Sequence, residues 1–281
     1  MTNTPEHRTA PETSNEASQG TSGAERVQSA GQMCSQNMLE QDEHAATVSH
    51  LFSDITPWYD FLNHFLSMEL DRTWRHFLAH SVFPHEEDGG GKLVLDLAAG
   101  TLDISICLRR YYPKVGVMGM DLCPNMLLRG KHKLKSGNRE AIVLTACDAR
   151  RIPVRDACAH GVTMAFGIRN ISPREEAFAE MYRVLVPGGR ACILEFGTGK
   201  KRIWCGLYNF YLNRILPGLG RVSGSRPAYE YLARTIREFP SSDTLCAEMH
   251  SVGFERVYAV PLSSGIVHVY IAEKARQGNQ V

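Results

Sequence analysis

Ten consecutive residues, Val94-Leu95-Asp96-Leu97-Ala98-Ala99-Gly100-Thr101-Leu102-Asp103, carry the clearest structural signal in this chain. An apolar run that ends in small residues and continues into a helical pattern predicts a buried strand, a tight turn and a helix. In open α/β sheets, ligands bind at the carboxyl ends of the strands. We therefore expect this turn to form one wall of a ligand site.

The same alternation of apolar runs and helical patterns continues along the chain. It predicts strands over residues 92–97, 115–120, 141–146, 161–166, 190–196, 256–261 and 266–272. Helices are predicted over 103–111, 124–135, 173–185 and 242–251, the third of them with Ser172 as N-cap and Pro173 at its first position. Strands separated by helices imply a parallel sheet. The prediction is a Rossmann-like α/β fold, a mostly parallel seven-stranded sheet with an antiparallel edge hairpin and helices on both faces.

Composition divides the chain into a tail and a globular domain. Residues 1–46 are rich in Thr, Ser, Gln, Glu and Gly, and such a stretch buries too little surface to offset its ordering entropy. We expect it to be disordered. The domain covers residues 47–275, opens with a helical cap over 47–91 and contains an aromatic insert over 200–240, which we interpret as a substrate-binding or lid segment. Residues 276–281 form a second, short tail.

Charge and cysteine content exclude several kinds of partner. The net charge is +1, so no field over the whole chain attracts nucleic acid, and we expect no nucleic-acid partner. The eight cysteines include neither a CxxC pair nor a Cys/His cluster at zinc-ligand spacing. We therefore expect a reduced, cytoplasmic chain without a bound metal. No apolar run is long enough to span a bilayer.

The acidic residues at the strand ends indicate which nucleotide would bind. Asp121 ends the second predicted strand, where a carboxylate accepts hydrogen bonds from ribose hydroxyls. A dinucleotide site needs G-x-G-x-x-G beside the pyrophosphate, but this turn has only Gly100, and Asp96 would repel a phosphate. S-adenosylmethionine has no phosphate and carries a positive ammonium and sulfonium. The charges therefore favour S-adenosylmethionine over a nicotinamide cofactor.

The third predicted strand ends in Cys147-Asp148-Ala149. A polar side chain there reaches the adenine amine, and a backbone amide reaches a ring nitrogen. The alternative for Asp148 alone is a solvated turn residue. Because Asp96, Asp121 and Asp148 lie at the ends of successive strands, we favour the functional interpretation.

From about residue 51 to residue 274 the chain resembles the ubiquinone/menaquinone biosynthesis C-methyltransferases. The strand-end Asp96 and the turn Pro187-Gly188-Gly189 are shared with most class I methyltransferases. Two further stretches carry the narrower resemblance, Phe166-Gly167-Ile168-Arg169-Asn170 and Tyr229-Glu230-Tyr231-Leu232.

The resemblance implies a class I methyltransferase fold and C-methylation of a polyprenylated quinol by S-adenosylmethionine. The reaction expected is conversion of demethylmenaquinol to menaquinol, with the benzoquinol of the ubiquinone pathway as a further acceptor. It implies cofactor contacts at Thr101, Asp121, Asp148 and Ala149. The chain departs from the family at Leu102, where the family has glycine, and at Ala165, where a cofactor contact is often made by serine. Leucine is a poor occupant of a positive-φ position, so we expect the loop to be shaped differently at Leu102.

Three residues are candidates for catalysis. Arg169 follows the fourth strand, where its charge could stabilise a developing phenolate or orient a water molecule. The alternative for Arg169 is a surface ion pair with Glu175 or Glu176. Tyr229 and His268 are further candidates, although both residue types also occur as ordinary core or strand residues.

The aromatic insert suggests how the chain would meet a lipid substrate. Residues 200–221 combine aromatic and aliphatic side chains with flanking lysines and arginines, which suits a polyprenyl groove and peripheral contact with the inner face of a membrane. A lid helix or a homodimer interface is the alternative. For the whole chain, the alternatives are a methyltransferase for another small molecule, a non-catalytic S-adenosylmethionine-binding protein and a nicotinamide oxidoreductase.

Overall fold

The computed structural model describes residues 70–85, 88–197, 231 and 234–276, together with residues 43, 46 and 47. Nearly all of the predicted tail, the first part of the helical cap and most of the aromatic insert, including Tyr229, lie outside the described residues. No helix of the described part is long and apolar enough to cross a membrane.

The described strands form one sheet with the predicted architecture. They are β1 Leu93–Leu97, β2 Gly116–Asp121, β3 Ile142–Ala146, β4 Ala159–Ala165, β5 Leu185–Phe196, β6 Arg256–Leu262 and β7 Val267–Glu273. Their order is β3-β2-β1-β4-β5-β7-β6. The first five strands pair in parallel, and β7 pairs antiparallel with both β5 and β6. The prediction of a mostly parallel seven-stranded sheet with an antiparallel hairpin is confirmed.

Helices cover both faces of the sheet. The described helices are α1 Leu70–Val82, α2 Asp103–Tyr111, α3 Pro124–Lys133, α4 Ser136–Arg139, α5 Arg174–Val184 and α6 Ser242–Ser251. Successive residues of a strand point to opposite faces. Accordingly, Val94 of β1 packs in the core that α1 and α2 close, whereas Leu95 packs in the core that α5 and α6 close.

Two local predictions need correction. Helix α5 begins at Arg174, one residue later than predicted, and Pro173 rather than Ser172 occupies the N-cap position. The Pro187-Gly188-Gly189 turn lies inside β5 and does not precede it. Pairing with β4 jumps there from Ala159↔Leu185 to Gly161↔Arg190, so the turn protrudes as a bulge. Gly188 adopts a φ of 80°, which favours glycine.

Helix α1 is the described part of the predicted helical cap, and it is the element that brings the N-terminal side of the domain to the site. Its stripe of Trp74, Leu78 and Val82 is buried at i, i+4 spacing, as expected for a helix with one face on a core. Trp74 Nε1 donates a hydrogen bond to Ser263 Oγ at 2.8 Å, which ties the helix to the turn before β7.

Candidate active site

The carboxyl end of β1 holds a buried carboxylate. Asp96 is 1% exposed and accepts two hydrogen bonds, from Ser105 Oγ of α2 at 2.6 Å and from Thr163 Oγ1 of β4 at 2.9 Å. Burial raises the pKa of Asp96 to about 7, because desolvation disfavours the charged form more than the two hydroxyl donors favour it. The charge of Asp121 acts in the same upward direction. The Asp96 carboxyl is therefore poised to change charge near neutral pH.

Asp121, at the end of β2, holds the turn after β1 in place. Its Oδ2 accepts the Gly100 N–H at 2.7 Å and its Oδ1 accepts the Cys123 N–H at 2.8 Å. Burial raises the pKa of Asp121, and these two backbone hydrogen bonds oppose that shift. Each carboxylate oxygen has a second lone pair. Asp121 can thus bind the turn and still accept hydrogen bonds from ribose hydroxyls, as the sequence predicts.

Leu102 adopts the left-handed conformation that leucine disfavours, with φ 68° and ψ 22°, at the N-cap of α2. Leucine has therefore not moved the backbone out of the positive-φ region at this position, although it led us to expect a differently shaped loop. The side chain is fully buried, and it occupies space that two glycines leave open. A Cβ atom on Gly119 would lie 2.9 Å from Leu102 Cδ2, and one on Gly130 would lie 2.5 Å from Leu102 Cγ.

The turn opens into a crevice that encloses about 330 Å³ of space, part of it open to solvent. Four of the predicted cofactor residues line it, namely Asp96, Gly100, Thr101 and Ala165. The crevice is also lined by residues that the sequence did not single out as binding residues, among them Arg75, Asp103, Ile104 and Phe166. The structure thus brings α1, β1, α2 and the end of β4 together around one opening.

A chain of charges runs along the α1–α2 side of this crevice. Arg75 Nη1 pairs with Asp71 and lies 3.4 Å from Asp103 Oδ2. Lys133 Nζ contacts Asp103 Oδ1 at 2.9 Å and donates to Thr101 Oγ1 at 2.8 Å. The sequence carried a signal for this feature, because Asp71 and Arg75 are charged residues on the buried side of an amphipathic helix, where charges occur only when paired.

Asp148 lies after β3 and is held by a buried arginine. Arg150 donates to both carboxylate oxygens, through Nη2 to Oδ2 at 2.7 Å and through Nε to both at 3.0 and 3.2 Å. Burial raises the pKa of Asp148, but the Arg150 hydrogen bonds and charge outweigh it and leave the pKa below its usual value. The Asp148 carboxylate is 25% exposed. It lies after β3, which pairs with β2, the strand that ends in Asp121. Its contact with adenine, and that of the Ala149 amide, stay predictions.

Arg169 is buried and paired with Glu195, so the alternative of a surface pair with Glu175 or Glu176 is wrong. Its Nη1 donates to Glu195 Oε1 at 2.7 Å and to the Phe166 carbonyl at 2.7 Å. The two side chains are 6% and 0% exposed. The guanidinium carbon lies 5.4 Å from the centre of the Phe196 ring, whereas Nε is buried without a hydrogen-bond partner in the described part of the chain.

Two rings near the ends of β5 and β7 also have unpartnered polar atoms. His268 lies opposite Glu195 in the β5–β7 register, and its Nδ1 is buried with no partner among the described residues. Burial lowers the pKa of His268. Tyr231 has a buried, unpartnered Oη, and its pKa is raised by burial and lowered in part by Arg169 and Arg234. Tyr231 is not among the predicted site residues, although it belongs to the stretch Tyr229-Glu230-Tyr231-Leu232 that carries the family resemblance.

Comparison with known proteins identifies the family. A family model described as the ubiE/COQ5 methyltransferase family matches residues 38–274. The chain belongs to this family. The ubiquinone/menaquinone biosynthesis C-methyltransferase of Geobacter sulfurreducens is 39% identical over 241 residues, which cover 84% of this chain and 92% of that protein. The demethylmenaquinone methyltransferase of Deinococcus radiodurans is 35% identical over 236 residues, 84% of this chain and 95% of that protein.

Solved structures support the fold of this ubiE/COQ5 family member. An S-adenosylmethionine-dependent methyltransferase of Thermotoga maritima aligns with a TM-score of 0.55 at 15% identity, over 80% of this chain and 98% of that one. A methyltransferase described as putative, from Methanococcus maripaludis, gives a TM-score of 0.54 at 17% identity, over 81% and 95% of the two chains. The chain therefore has the class I methyltransferase fold.

The protein is an S-adenosylmethionine-dependent methyltransferase, and the charges that line its crevice suit that cofactor. Asp96 and Asp103 supply negative charge beside the opening, which suits the ammonium and sulfonium groups. Asp121 keeps acceptor capacity for the ribose. No Gly-rich cradle of the dinucleotide type follows β1, since Gly100 is the one glycine of that turn.

Proposed function

We propose that this methyltransferase adds a methyl group to a ring carbon of a polyprenylated quinol, converting demethylmenaquinol to menaquinol. Relatives that carry the names demethylmenaquinone methyltransferase and ubiquinone/menaquinone biosynthesis C-methyltransferase support this choice of substrate. The benzoquinol of the ubiquinone pathway is the second candidate acceptor, because the relative from Geobacter sulfurreducens is named for both quinones.

The observation that carries the proposal is an aromatic wall beside the cofactor crevice. Phe166 lines the crevice and stacks on Phe196, with ring centres 4.8 Å apart and planes inclined by 39°. Trp74 of α1 packs against Phe166 at 6.4 Å. Flat apolar rings of this kind suit the face of a quinol, and the partly buried Phe166 and Phe196 would exclude water from the side of the ring that they cover.

Bound S-adenosylmethionine supplies an electrophilic methyl group. The quinol becomes nucleophilic at the ring carbon next to a hydroxyl as that hydroxyl loses its proton. The ring carbon would bond to the methyl group as the sulfur–methyl bond breaks, and a base or water molecule would take the hydroxyl proton and then the ring proton, whose loss restores aromaticity. The protein must hold the ring in line with the methyl group and stabilise negative charge on the oxygen.

Arg169 is our candidate for stabilising that charge. It does not itself line the crevice in the described part of the chain, but its guanidinium packs on Phe196, the second ring of the aromatic wall. Glu195 and the Phe166 carbonyl hold Nη1 in place, and Nε is a donor with no partner among the described residues. A phenolate oxygen or a water molecule bound to it would satisfy this donor. His268 and Tyr229 stay weaker candidates.

The aromatic insert lies mostly outside the described residues, and its role rests on sequence. We propose that residues 200–221 bind the polyprenyl tail and contact the inner face of the membrane, because lysines and arginines flank a run of apolar and aromatic side chains there. A lid over the site or an interface in a homodimer is the alternative for the same residues.

The test is a defined reaction with the purified full chain. Demethylmenaquinol and S-adenosylmethionine should yield menaquinol and S-adenosylhomocysteine, measured by mass spectrometry, and the oxidised quinone should not react because its ring is electron-poor. Methylation of the oxidised quinone at the same rate would contradict the mechanism. If neither the naphthoquinol nor the benzoquinol reacts while S-adenosylhomocysteine still binds, the acceptor is another small molecule.

The role of Arg169 needs a variant that leaves no buried charge unpaired. Arg169→Ala alone would leave Glu195 buried without its partner, at a cost of about 3–5 kcal/mol in stability. The double variant Arg169→Met with Glu195→Gln removes both charges, and Glu195→Gln alone is its control. We expect the double variant to lower turnover about 100-fold or more while S-adenosylhomocysteine affinity changes little. Turnover equal to that of the Glu195→Gln control would exclude Arg169 from the reaction.

A further inference from the structure

Arg75 lines the crevice, and its two ion pairs occupy only part of its guanidinium group. It lies on the buried side of α1, is 8% exposed, and lines the crevice beside Thr101 and Asp103. Both of its carboxylate contacts, with Asp71 and Asp103, use the same nitrogen, Nη1. Within the described part of the chain, Nε and Nη2 have no protein partner. One edge of the guanidinium is therefore available to a ligand.

The charges of the cofactor indicate what that edge would bind. S-adenosylmethionine carries an ammonium and a sulfonium, which suit Asp96 and Asp103, and it also carries a carboxylate, which needs a cation. Among the described residues that line the crevice, Arg75 is the only cationic one. The Nε–Nη2 edge of a guanidinium presents two parallel donors at the spacing of the two carboxylate oxygens.

We propose that Arg75 binds the carboxylate of the methionine part of the cofactor through its Nε–Nη2 edge and so orients that part in the crevice. Asp71 and Asp103 then act as positioning residues, because they fix Nη1 and leave the other edge open. This inference concerns the cofactor alone and holds whatever the methyl acceptor is.

The rigid setting of Arg75 supports a binding role. Asp71, one turn earlier in α1, is 2% exposed, and the Arg75 carbonyl accepts a weak hydrogen bond from Cys107 Sγ of α2 at 3.8 Å. The guanidinium is thus fixed between two helices and loses little conformational entropy when a carboxylate binds. Lys133 is a useful contrast, since it contacts the same Asp103 but does not line the crevice in the described residues.

The test compares the binding of S-adenosylmethionine and decarboxylated S-adenosylmethionine, which differ only in the carboxylate. Titration calorimetry measures both affinities on the full chain without acceptor. The wild type should prefer S-adenosylmethionine by about tenfold or more, because a hydrogen-bonded charge pair is lost with the carboxylate. Arg75→Met should abolish that preference by weakening S-adenosylmethionine binding while leaving the decarboxylated ligand within about twofold. Arg75→Lys should keep part of the preference, since an ammonium lacks the planar pair of donors.

Lys133→Met serves as the matched control. Lys133 belongs to the same charge cluster but does not line the crevice in the described residues, so its loss should change the affinity for both ligands alike and leave the wild-type preference intact. If Arg75→Met does not fold, the pair Asp71→Asn with Arg75→Met removes the buried ion pair as a unit and undergoes the same titration. A preference that survives the loss of Arg75, or equal losses for both ligands, would overturn the proposal and leave Arg75 a structural ion-pair residue.

Discussion

At the scale of a single residue, the raised pKa of the buried Asp96 carboxyl predicts that its protonation is linked to cofactor binding. In the free protein its pKa is raised to about 7, because burial outweighs the hydroxyl donors Ser105 and Thr163. A carboxyl whose pKa is raised by folding stabilises the native state most at low pH. That contribution is lost as pH rises from the unfolded-state pKa, about 4, through about 7. The ionised form, in contrast, is the one that would attract the cofactor's ammonium in the proposed complex.

We therefore predict that S-adenosylmethionine binding near pH 6 releases a proton from Asp96 and tightens as pH rises through about 7. Calorimetric titrations in two buffers of different ionisation enthalpy measure the protons released. Asp96→Asn, whose side-chain oxygen can still accept from Ser105 or Thr163, should show no such release. Equal heats in both buffers for the wild-type protein would contradict the coupling.

At the scale of an element, the start of α2 depends on a leucine in an unfavourable backbone conformation. Leu102 is fully buried, so Leu102→Ala should cost about 2–5 kcal/mol in unfolding free energy. Leu102→Gly removes more side chain but relieves the left-handed strain, by about 1 kcal/mol. We predict that Leu102→Gly unfolds at a temperature no lower than Leu102→Ala, the reverse of the usual order. A glycine variant several degrees less stable than the alanine variant would show that the backbone is unstrained.

The two glycines that face Leu102 should couple to it energetically. Gly119→Ala introduces a methyl 2.9 Å from Leu102 Cδ2, so its cost should fall in a Leu102→Gly background. Gly130→Ala should be rescued only in part, because its methyl would also lie 2.8 Å from the Thr101 carbonyl carbon. Thermal unfolding of the single and double variants measures both couplings. Strictly additive effects at Gly119 would contradict this packing.

The elements show why some site residues could be predicted from sequence and others could not. Asp96 and Asp121 end apolar strands, so their place at the carboxyl edge follows from periodicity alone. Arg75 reaches the crevice only because α1 packs on α2, a tertiary contact between segments with no strand-end signal. Glu195 lies in an apolar run whose pattern predicts a strand. The pattern does not indicate which residue pairs with the Glu195 carboxylate. Its pairing with Arg169 depends on the turn that follows β4.

For the whole molecule, the sequence predicts the strand set and the parallel arrangement, because each apolar run is bounded by turn residues. Periodicity does not give the strand order, which depends on how the crossovers pack. Periodicity also does not predict the bulge within β5. The pattern Pro-Gly-Gly is typical of a turn between two elements, but here it lies inside a strand. The site residues nevertheless converge, because parallel strands place their carboxyl ends at one edge.

The predicted tail gives a test on the same scale. The match to the family model begins at residue 38, so the chain before it lies outside the conserved domain. We predict that deleting residues 1–37 leaves the melting temperature and the turnover of the enzyme nearly unchanged, because a segment of this composition buries little apolar surface. Calorimetry and the methyl-transfer assay measure the two quantities. A large loss of either would mean that the segment docks on the domain.

The strand order has a consequence for how the chain folds as it is synthesised. β7 lies between β5 and β6, although it follows both in sequence. Until β7 is made, the outer edge of β5 has no partner in the described sheet, and β6 cannot join the sheet at all. An unpaired strand edge is a template for association with other chains. The elements that border the binding crevice, from α1 to the end of β4, are thus all synthesised before the strand that closes this edge.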